Sequence, residues 1–201
     1  MRGKALTSVG KGVAVAALTM AAAAASAQNL VTNGDFETGT FAGWTTAING
    51  VYDGVDVLAP QAGSFAAFFG AATPSTISQT LNTVAGQQYY VSFWLQNENN
   101  LGSFVPNSFS FSWNGNQAMA FADADAFDYT RYTFALDATG ASTTISFSFM
   151  QETSFLDFDT VEVNAVPEPD SFALTGLAGL LAVGVSSRRR RAATPPETSP
   201  S

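Results

Sequence analysis

Ser108-Phe109-Ser110-Phe111-Ser112-Trp113 alternates strictly, with aromatic rings on one side and serines on the other. A period of two is the side-chain period of a β-strand, so the stretch is a half-buried strand with one wet face. Ile145-Ser146-Phe147-Ser148-Phe149 repeats the pattern, Tyr89, Val91, Phe93 and Leu95 share one face of another strand, and Tyr132, Phe134 and Leu136 share one face of a fourth. Turn-forming pairs punctuate these runs at Asn33-Gly34, Asn49-Gly50, Asp53-Gly54, Asn114-Gly115 and Thr139-Gly140. No sustained helical period occurs between residues 28 and 166. About ten short strands in one domain imply two packed sheets, and the expected fold class is all-β, a jelly-roll-like antiparallel β-sandwich. Most of the seventeen phenylalanines are expected to fill its core.

The two ends of the chain read differently. Arg2, Lys4 and Lys11 precede an apolar stretch, Val13–Ala25, that closes with Ala25-Ser26-Ala27. That is the layout of a secretory signal peptide over residues 1–27, with signal peptidase cutting after Ala27 so that the mature chain begins at Gln28. Cysteine is absent, so no disulfide framework supports the exported body. At the other end, Val166-Pro167-Glu168-Pro169 is followed by an apolar run, Phe172–Val185, and then by Arg188, Arg189, Arg190 and Arg191. The two prolines lack backbone N–H groups and keep their segment extended, as a processing enzyme requires. The run alone would span about 21 Å as a helix. With Ser171, Ser186 and Ser187 added and the arginines snorkelling, 171–187 is expected to form a single transmembrane helix, its arginines on the cytoplasmic side. Residues 192–201 read as a disordered tail.

This order of motif, helix and arginines resembles the PEP-CTERM sorting signal of Gram-negative, exopolysaccharide-producing bacteria, here over residues 166–191. The resemblance implies recognition of Pro167, Glu168 and Pro169 by an exosortase, a membrane cysteine transpeptidase. It also implies a route: export across the inner membrane, anchoring through the C-terminal helix, then release or transfer to the cell surface or the extracellular matrix. The ten residues after the arginines are more than such signals usually carry.

Between the signals lies a body of 139 residues, Gln28–Val166, enough for one domain with its own core, placed at 28–165. Thirteen of the sixteen acids fall here with a single base, Arg131, for a formal charge of −12. Such a surface repels phosphate backbones, so nucleic acid is excluded as a partner; divalent cations and neutral or cationic partners suit it. The chain has no His and no Cys, and the body has no Lys, which removes the usual nucleophile–base pairs. Nothing marks one acid as a proton donor, so the body is expected not to be an enzyme; a glycoside hydrolase working with paired carboxylates is the remote alternative.

The body's own motifs also point to a family. Asn29-Leu30-Val31-Thr32-Asn33-Gly34-Asp35-Phe36-Glu37 with Gly43-Trp44, then Gly63–Gly70, Ser78–Leu81, Ala85-Gly86-Gln87 and the closing Phe158–Val163, together resemble jelly-roll carbohydrate-binding and galactose-binding-like domains. The resemblance implies a calcium ion shared by the first and last strands, with Glu37 and Asp159 as ligands and Asp35 as a third; Thr160 stands where the family has a second Asp. By parity with Val161 and Val163, Asp159 is expected to point inward, where a carboxylate needs a partner; the other reading is an acid at the solvent rim. Asp123, Asp125 and Asp128 lack EF-hand spacing and read as a solvated loop.

Sugar binding needs exposed rings for stacking and amides or carboxylates for hydroxyls. Tyr129, Asn97 and Asn99 are the preferred candidates, with Tyr52 beside Asp53, Phe127 and the run Gln96–Asn100 as others; Trp44 reads as a core anchor. The expectation is a non-catalytic, exported envelope or exopolysaccharide-associated protein that binds glycan. The competing reading is a structural or adhesive biofilm-matrix protein without a small ligand. An ice-binding role would need a regular Thr- or Ala-rich face, which Thr143-Thr144 and Ser75-Thr76 do not suggest.

Overall fold

The computed structural model describes residues 28–98 and 106–167. The signal peptide, the sorting residues from Glu168 onward, the predicted transmembrane helix and Asn99 lie outside them. Among the described residues no helix is long and apolar enough to cross a membrane.

Ten strands form: β1 (Thr45–Ala47), β2 (Asp53–Asp56), β3 (Ala66–Phe69), β4 (Ser75–Asn82), β5 (Gln88–Asn97), β6 (Asn107–Trp113), β7 (Asn116–Ala122), β8 (Phe127–Asp137), β9 (Ser142–Gln151) and β10 (Leu156–Ala165). They build two five-stranded sheets, ordered β1-β4-β9-β6-β7 and β2-β3-β10-β5-β8, and every pairing is antiparallel. This is the expected all-β sandwich. Asn114 and Gly115, both at positive φ, close the tight β6–β7 hairpin.

The alternation sorts as expected. Phe109, Phe111, Trp113, Ile145, Phe147 and Phe149 are buried, as are Tyr89, Val91, Phe93 and Leu95. Phe93 sits at the centre, its ring 5.3–5.9 Å from those of Phe109, Phe111, Tyr132, Phe134, Phe147 and Phe158. Trp44 is a core anchor: it stacks on Phe36 and donates its indole N–H to the Asn33 carbonyl at 3.0 Å. The opening motif is not a strand but a pinned arm. Gln79 holds both the N–H and the carbonyl of Thr32, and Asn29 holds the Val161 carbonyl and the Val163 N–H. Gly34 is needed because a Cβ there would lie 2.2 Å from the Val161 carbonyl oxygen.

Two local expectations change. Asp53-Gly54 is not a turn but the start of β2. Asp53 accepts the N–H groups of Gly70 and Ala71 and the Ser75 hydroxyl, while the Phe68 ring occupies the space a Cβ on Gly54 would need. Asp159 is fully buried and partnered, as an inward acid would need to be, but it lies on the outer face of the sheet and not in the core. The β10–β5 register shifts between Asp159 and Glu162, and Thr160 takes a positive φ, so a bulge reverses the parity of the strand. Phe158 and Val161 both face the core, and Asp159 turns to the outer face beside Asp157.

The outer face of the first sheet is a regular field of small side chains. Thr45, Ser78, Ser146 and Ser112 fall in one cross-strand row, and Ala47, Thr76, Ser148 and Ser110 in the next. Neighbouring residues in the sequence gave no sign of this array, because the strand register assembles it.

Candidate functional site: an acidic and aromatic groove on the second sheet

The outer face of the second sheet is shaped by the connection 57–65, which runs across it as a strap. Its tethers are side chains of the sheet and of the opening arm. Asp56 accepts the Leu58 N–H at 2.9 Å, and the Tyr129 hydroxyl donates to the Ala59 carbonyl at 2.7 Å. Asp159 accepts from Gln61 and Ala62 at 3.0 and 3.1 Å and from Thr160 at 2.6 Å. Glu37 accepts from Ser64 and Phe65 at 2.7 and 2.9 Å.

The predicted calcium set therefore has another role in this arrangement. Five backbone N–H groups already point at the Glu37 and Asp159 carboxylates. Asp35 bonds only within its own turn, accepting the Glu37 N–H at 3.4 Å. Among the described residues no three acidic side chains are grouped to hold a metal ion. Both N–H groups on Glu37 go to its Oε1, and the three on Asp159 are divided between its two oxygens. Burial pushes the Asp159 carboxyl above its ordinary range, and the three N–H donors pull the other way.

Beyond the strap, three depressions run in series around the end of this sheet. The first has a volume of about 620 Å³ and lies between Tyr52, Ala72, Glu152 and Phe155. The second, about 150 Å³, is bounded by Asp56, Leu58, Phe68, Glu98, Phe155 and Asp157. The third, about 250 Å³, lies between Gln96, Glu98, Phe127 and Asp128. Phe155 borders the first two and Glu98 the last two, so the three depressions are neighbours. Phe155 stands edge-on against Phe68 at 5.7 Å, and Tyr52 is 63% exposed at the far end.

Asp157 is the most unusual group in the groove. It is only 2% exposed, and its Oδ2 has no hydrogen-bond partner among the described residues. In the register it lies between Phe68 and Gln96. Burial, then the charge and hydrogen bond of Glu98, then the charge of Asp56, push its carboxyl from the ordinary 3.8 up to about 8. At neutral pH it holds a proton. The same acids, together with burial, raise the Tyr129 phenol far above its ordinary value.

The predicted sugar contacts are dispersed. Asn97 lines the third depression; its side chain is buried, donates to the Ala124 and Asp125 carbonyls, accepts from Gln151 and so also pins the β7–β8 turn. Tyr129 spends its hydroxyl on the strap. Phe127 lines the third depression and packs edge-on against Phe121. Tyr52 reaches the groove. Asp123, Asp125 and Asp128 are exposed, Asp123 and Asp125 on the β7–β8 turn and Asp128 at the start of β8. Sequence reasoning missed Asp56, Phe68, Phe155 and Asp157, while Glu98 lies within the candidate run Gln96–Asn100. Parity within Gln88–Asn97 and Leu156–Phe158 could have placed Trp94 and Asp157 outside.

No protein-family model and no curated protein matches the sequence. Solved structures of the same fold exist. TmCBM61, in complex with β-1,4-galactotriose, is 19% identical with a TM-score of 0.52, covering 70% of this chain and 99% of that one. The tandem CBM22-1–CBM22-2 domain of Paenibacillus barcinonensis Xyn10C is 16% identical at 0.51, over 73% of this chain and 48% of the other. The K3 cleaved adhesin domain of Lys-gingipain from Porphyromonas gingivalis W83 is 14% identical at 0.51, over 66% and 96%. At these identities the likeness establishes the jelly-roll sandwich shared with carbohydrate-binding modules.

Proposed function

We propose that the body is a non-catalytic glycan-binding module of an exported protein that an exosortase delivers to the cell surface or its exopolysaccharide. The observation that carries the reading is the row of neighbouring depressions at the edge of the second sheet, lined by the rings of Tyr52, Phe68 and Phe155 and by carboxylates. Rings stack on sugar faces while carboxylates and amides take hydroxyls. The carbohydrate-binding modules among the structures of like fold support it.

Affinity electrophoresis of Gln28–Val166 through the producer's exopolysaccharide tests this. Retardation is expected, and Tyr52→Ala and Phe155→Ala should each weaken it about tenfold, the loss of one stacking contact of ~1–3 kcal/mol. Thr80→Ala, on the other sheet, should leave it unchanged. Retardation lost with a chelator and restored by calcium would assign the ion to Glu37 and Asp159, and retardation unchanged by both would leave those carboxylates only as tethers of 57–65. Free migration through every polysaccharide, with concentration-dependent light scattering, would favour the matrix reading instead, for which the flat Ser/Thr face of the first sheet is the available self-association surface.

The sorting half of the reading rests on Val166–Pro169, the apolar run and the four arginines. In cells lacking the exosortase, the protein is expected to accumulate at full length in the inner membrane. An unchanged distribution and size would refute exosortase sorting.

A further inference from the structure

We propose that β8 is a pairing edge for a second copy of this chain: two β8 strands join antiparallel about a two-fold axis at Phe134, making one continuous sheet from the second sheets of both bodies. The inference is independent of the glycan-binding reading.

β8 is the last strand of the second sheet, and among the described residues no strand lies beyond it. Alternate residues of β8 therefore turn their N–H and C=O groups away from β5, leaving a ladder edge open to another strand. Short edge strands resist such pairing and long ones invite it. β8 has 11 residues, whereas the edge strands β1 and β2 have 3 and 4. The inward side chains of β8 are also incompletely covered. Tyr132, Phe134 and Leu136 are only partly buried, while Tyr89, Val91, Phe93 and Leu95 on neighbouring β5 are no more than 3% exposed. Toward the β1 and β2 side, the opening arm sets Phe36, Phe41 and Trp44 against Phe158, Phe69 and Phe147. A strand added beside β8 would give the opposite side the cover that the arm gives this one.

Charge decides the occupant. Two bodies of net charge −12 repel each other, so any pairing must set opposite charges together. The body's one cation lies on β8. Arg131 and Asp137 share the outer face, as do their β5 partners Trp94 and Gln88. Both side chains are exposed: Arg131 reaches Ser92 and Glu162 through Nη2, and Asp137 accepts from the Gln88 amide at 3.1 Å. Parity admits only registers that put inner face beside inner face. Centring on Arg131 sets it opposite itself. Centring on Phe134 sets Arg131 opposite Asp137 at both ends of the ladder, with Tyr132 opposite Leu136 on the inner face. The strand is thus complementary to its own copy, as an isologous contact requires. This pair is closed, unlike the open-ended stacking available to the Ser/Thr face. It also turns both outer faces the same way, so one polymer could meet two rows of depressions.

The chain has no cysteine, so introduced ones report the contact directly. Residues 131 and 137 lie about 20 Å apart along one strand, too far to bridge within a copy. The test uses the full chain in mild detergent. The two β10 strands of the pair run in opposite directions, so each Val166 lies at an opposite end, which solution permits and one membrane plane would not. After oxidation with copper phenanthroline, Arg131→Cys/Asp137→Cys is expected to run as a covalent dimer, and each single-cysteine variant as a monomer. In sedimentation equilibrium of the cysteine-free chain at 150 mM salt, Arg131→Asp and Asp137→Arg should each weaken pairing about tenfold. The double exchange should restore it to within about threefold. Both positions are exposed, so these changes leave the core untouched. No dimer from the double-cysteine variant would overturn the proposal, as would single-cysteine variants that cross-link equally well. A ladder of larger oligomers, or self-association indifferent to the charge exchange, would also overturn it.

Discussion

Replacing Phe147 with alanine is expected to lower the stability of the body by about 3–5 kcal/mol, the range for deleting a fully buried ring. Phe147 is completely buried, with Phe158 at 4.8 Å, Phe111 at 5.0 Å, Phe93 at 5.3 Å, Trp44 at 6.1 Å and Phe109 at 6.4 Å. These rings come from β5, β6, β10 and the opening arm. No single neighbour can move in to fill the space, so the loss should fall in the upper part of the range. Urea unfolding followed by tryptophan fluorescence measures it. A midpoint shift equivalent to less than about 1 kcal/mol, with unchanged slope, would show that the core can collapse around the gap. Ser146→Ala, one residue away on the hydroxyl face, should change stability by no more than about 0.5 kcal/mol.

Asp157→Asn is expected to change how stability depends on pH. The folded body binds a proton at Asp157 up to about pH 8, whereas the unfolded chain releases it near the ordinary 3.8. Between those values the native state holds more protons than the unfolded one. The stabilising contribution is therefore fully present below about pH 4 and is lost as pH rises towards 8. Asparagine keeps the neutral form at every pH, and its amide can still donate to Glu98. The variant and the parent should match at pH 4, while at pH 8 the variant should be more stable by on the order of a few kcal/mol. Thermal unfolding across that range checks the sign, and parallel curves for the two proteins would mean that Asp157 is ionised in the folded body.

Much of the scaffold was legible because strand parity is a local property. Ser108–Trp113 and Ile145–Phe149 state which side chains are wet and which are dry without reference to anything else in the chain, and β6 and β9 follow them. The Asn114-Gly115 hairpin is equally local. Asp53-Gly54 failed because the pair has two uses, and a glycine that clears the Phe68 ring looks the same in sequence as one that turns the chain. Asp159 failed because one extra residue at Thr160 reverses parity, and a bulge is a response to packing against β5 that leaves no fixed composition behind it.

The site was legible only in fragments. Tyr52 was noticed as a ring beside an acid, and it does open onto the groove. Tyr129 and Asn97 have the right chemistry for a sugar, but the fold uses Tyr129 to tie the strap and Asn97 to pin a turn. Asp56 and Asp157 are unremarkable in sequence, each a single acid at or near a strand end, and Glu98 stands out only as part of the run Gln96–Asn100.

The sequence by itself determined that the body is built of strands, which faces of those strands are apolar, that the core is phenylalanine and that the body carries a large negative charge. It did so because alternation and composition act residue by residue. Only the tertiary structure decided which acids share a space. The lateral order β2-β3-β10-β5-β8 places Asp157 between Phe68 and Gln96, and the shared depression brings it to Asp56 and Glu98; the strap then closes over their neighbour Asp159. Buried charges acquire their properties from the groups around them, and those groups arrive from distant parts of the chain only when the two sheets pack.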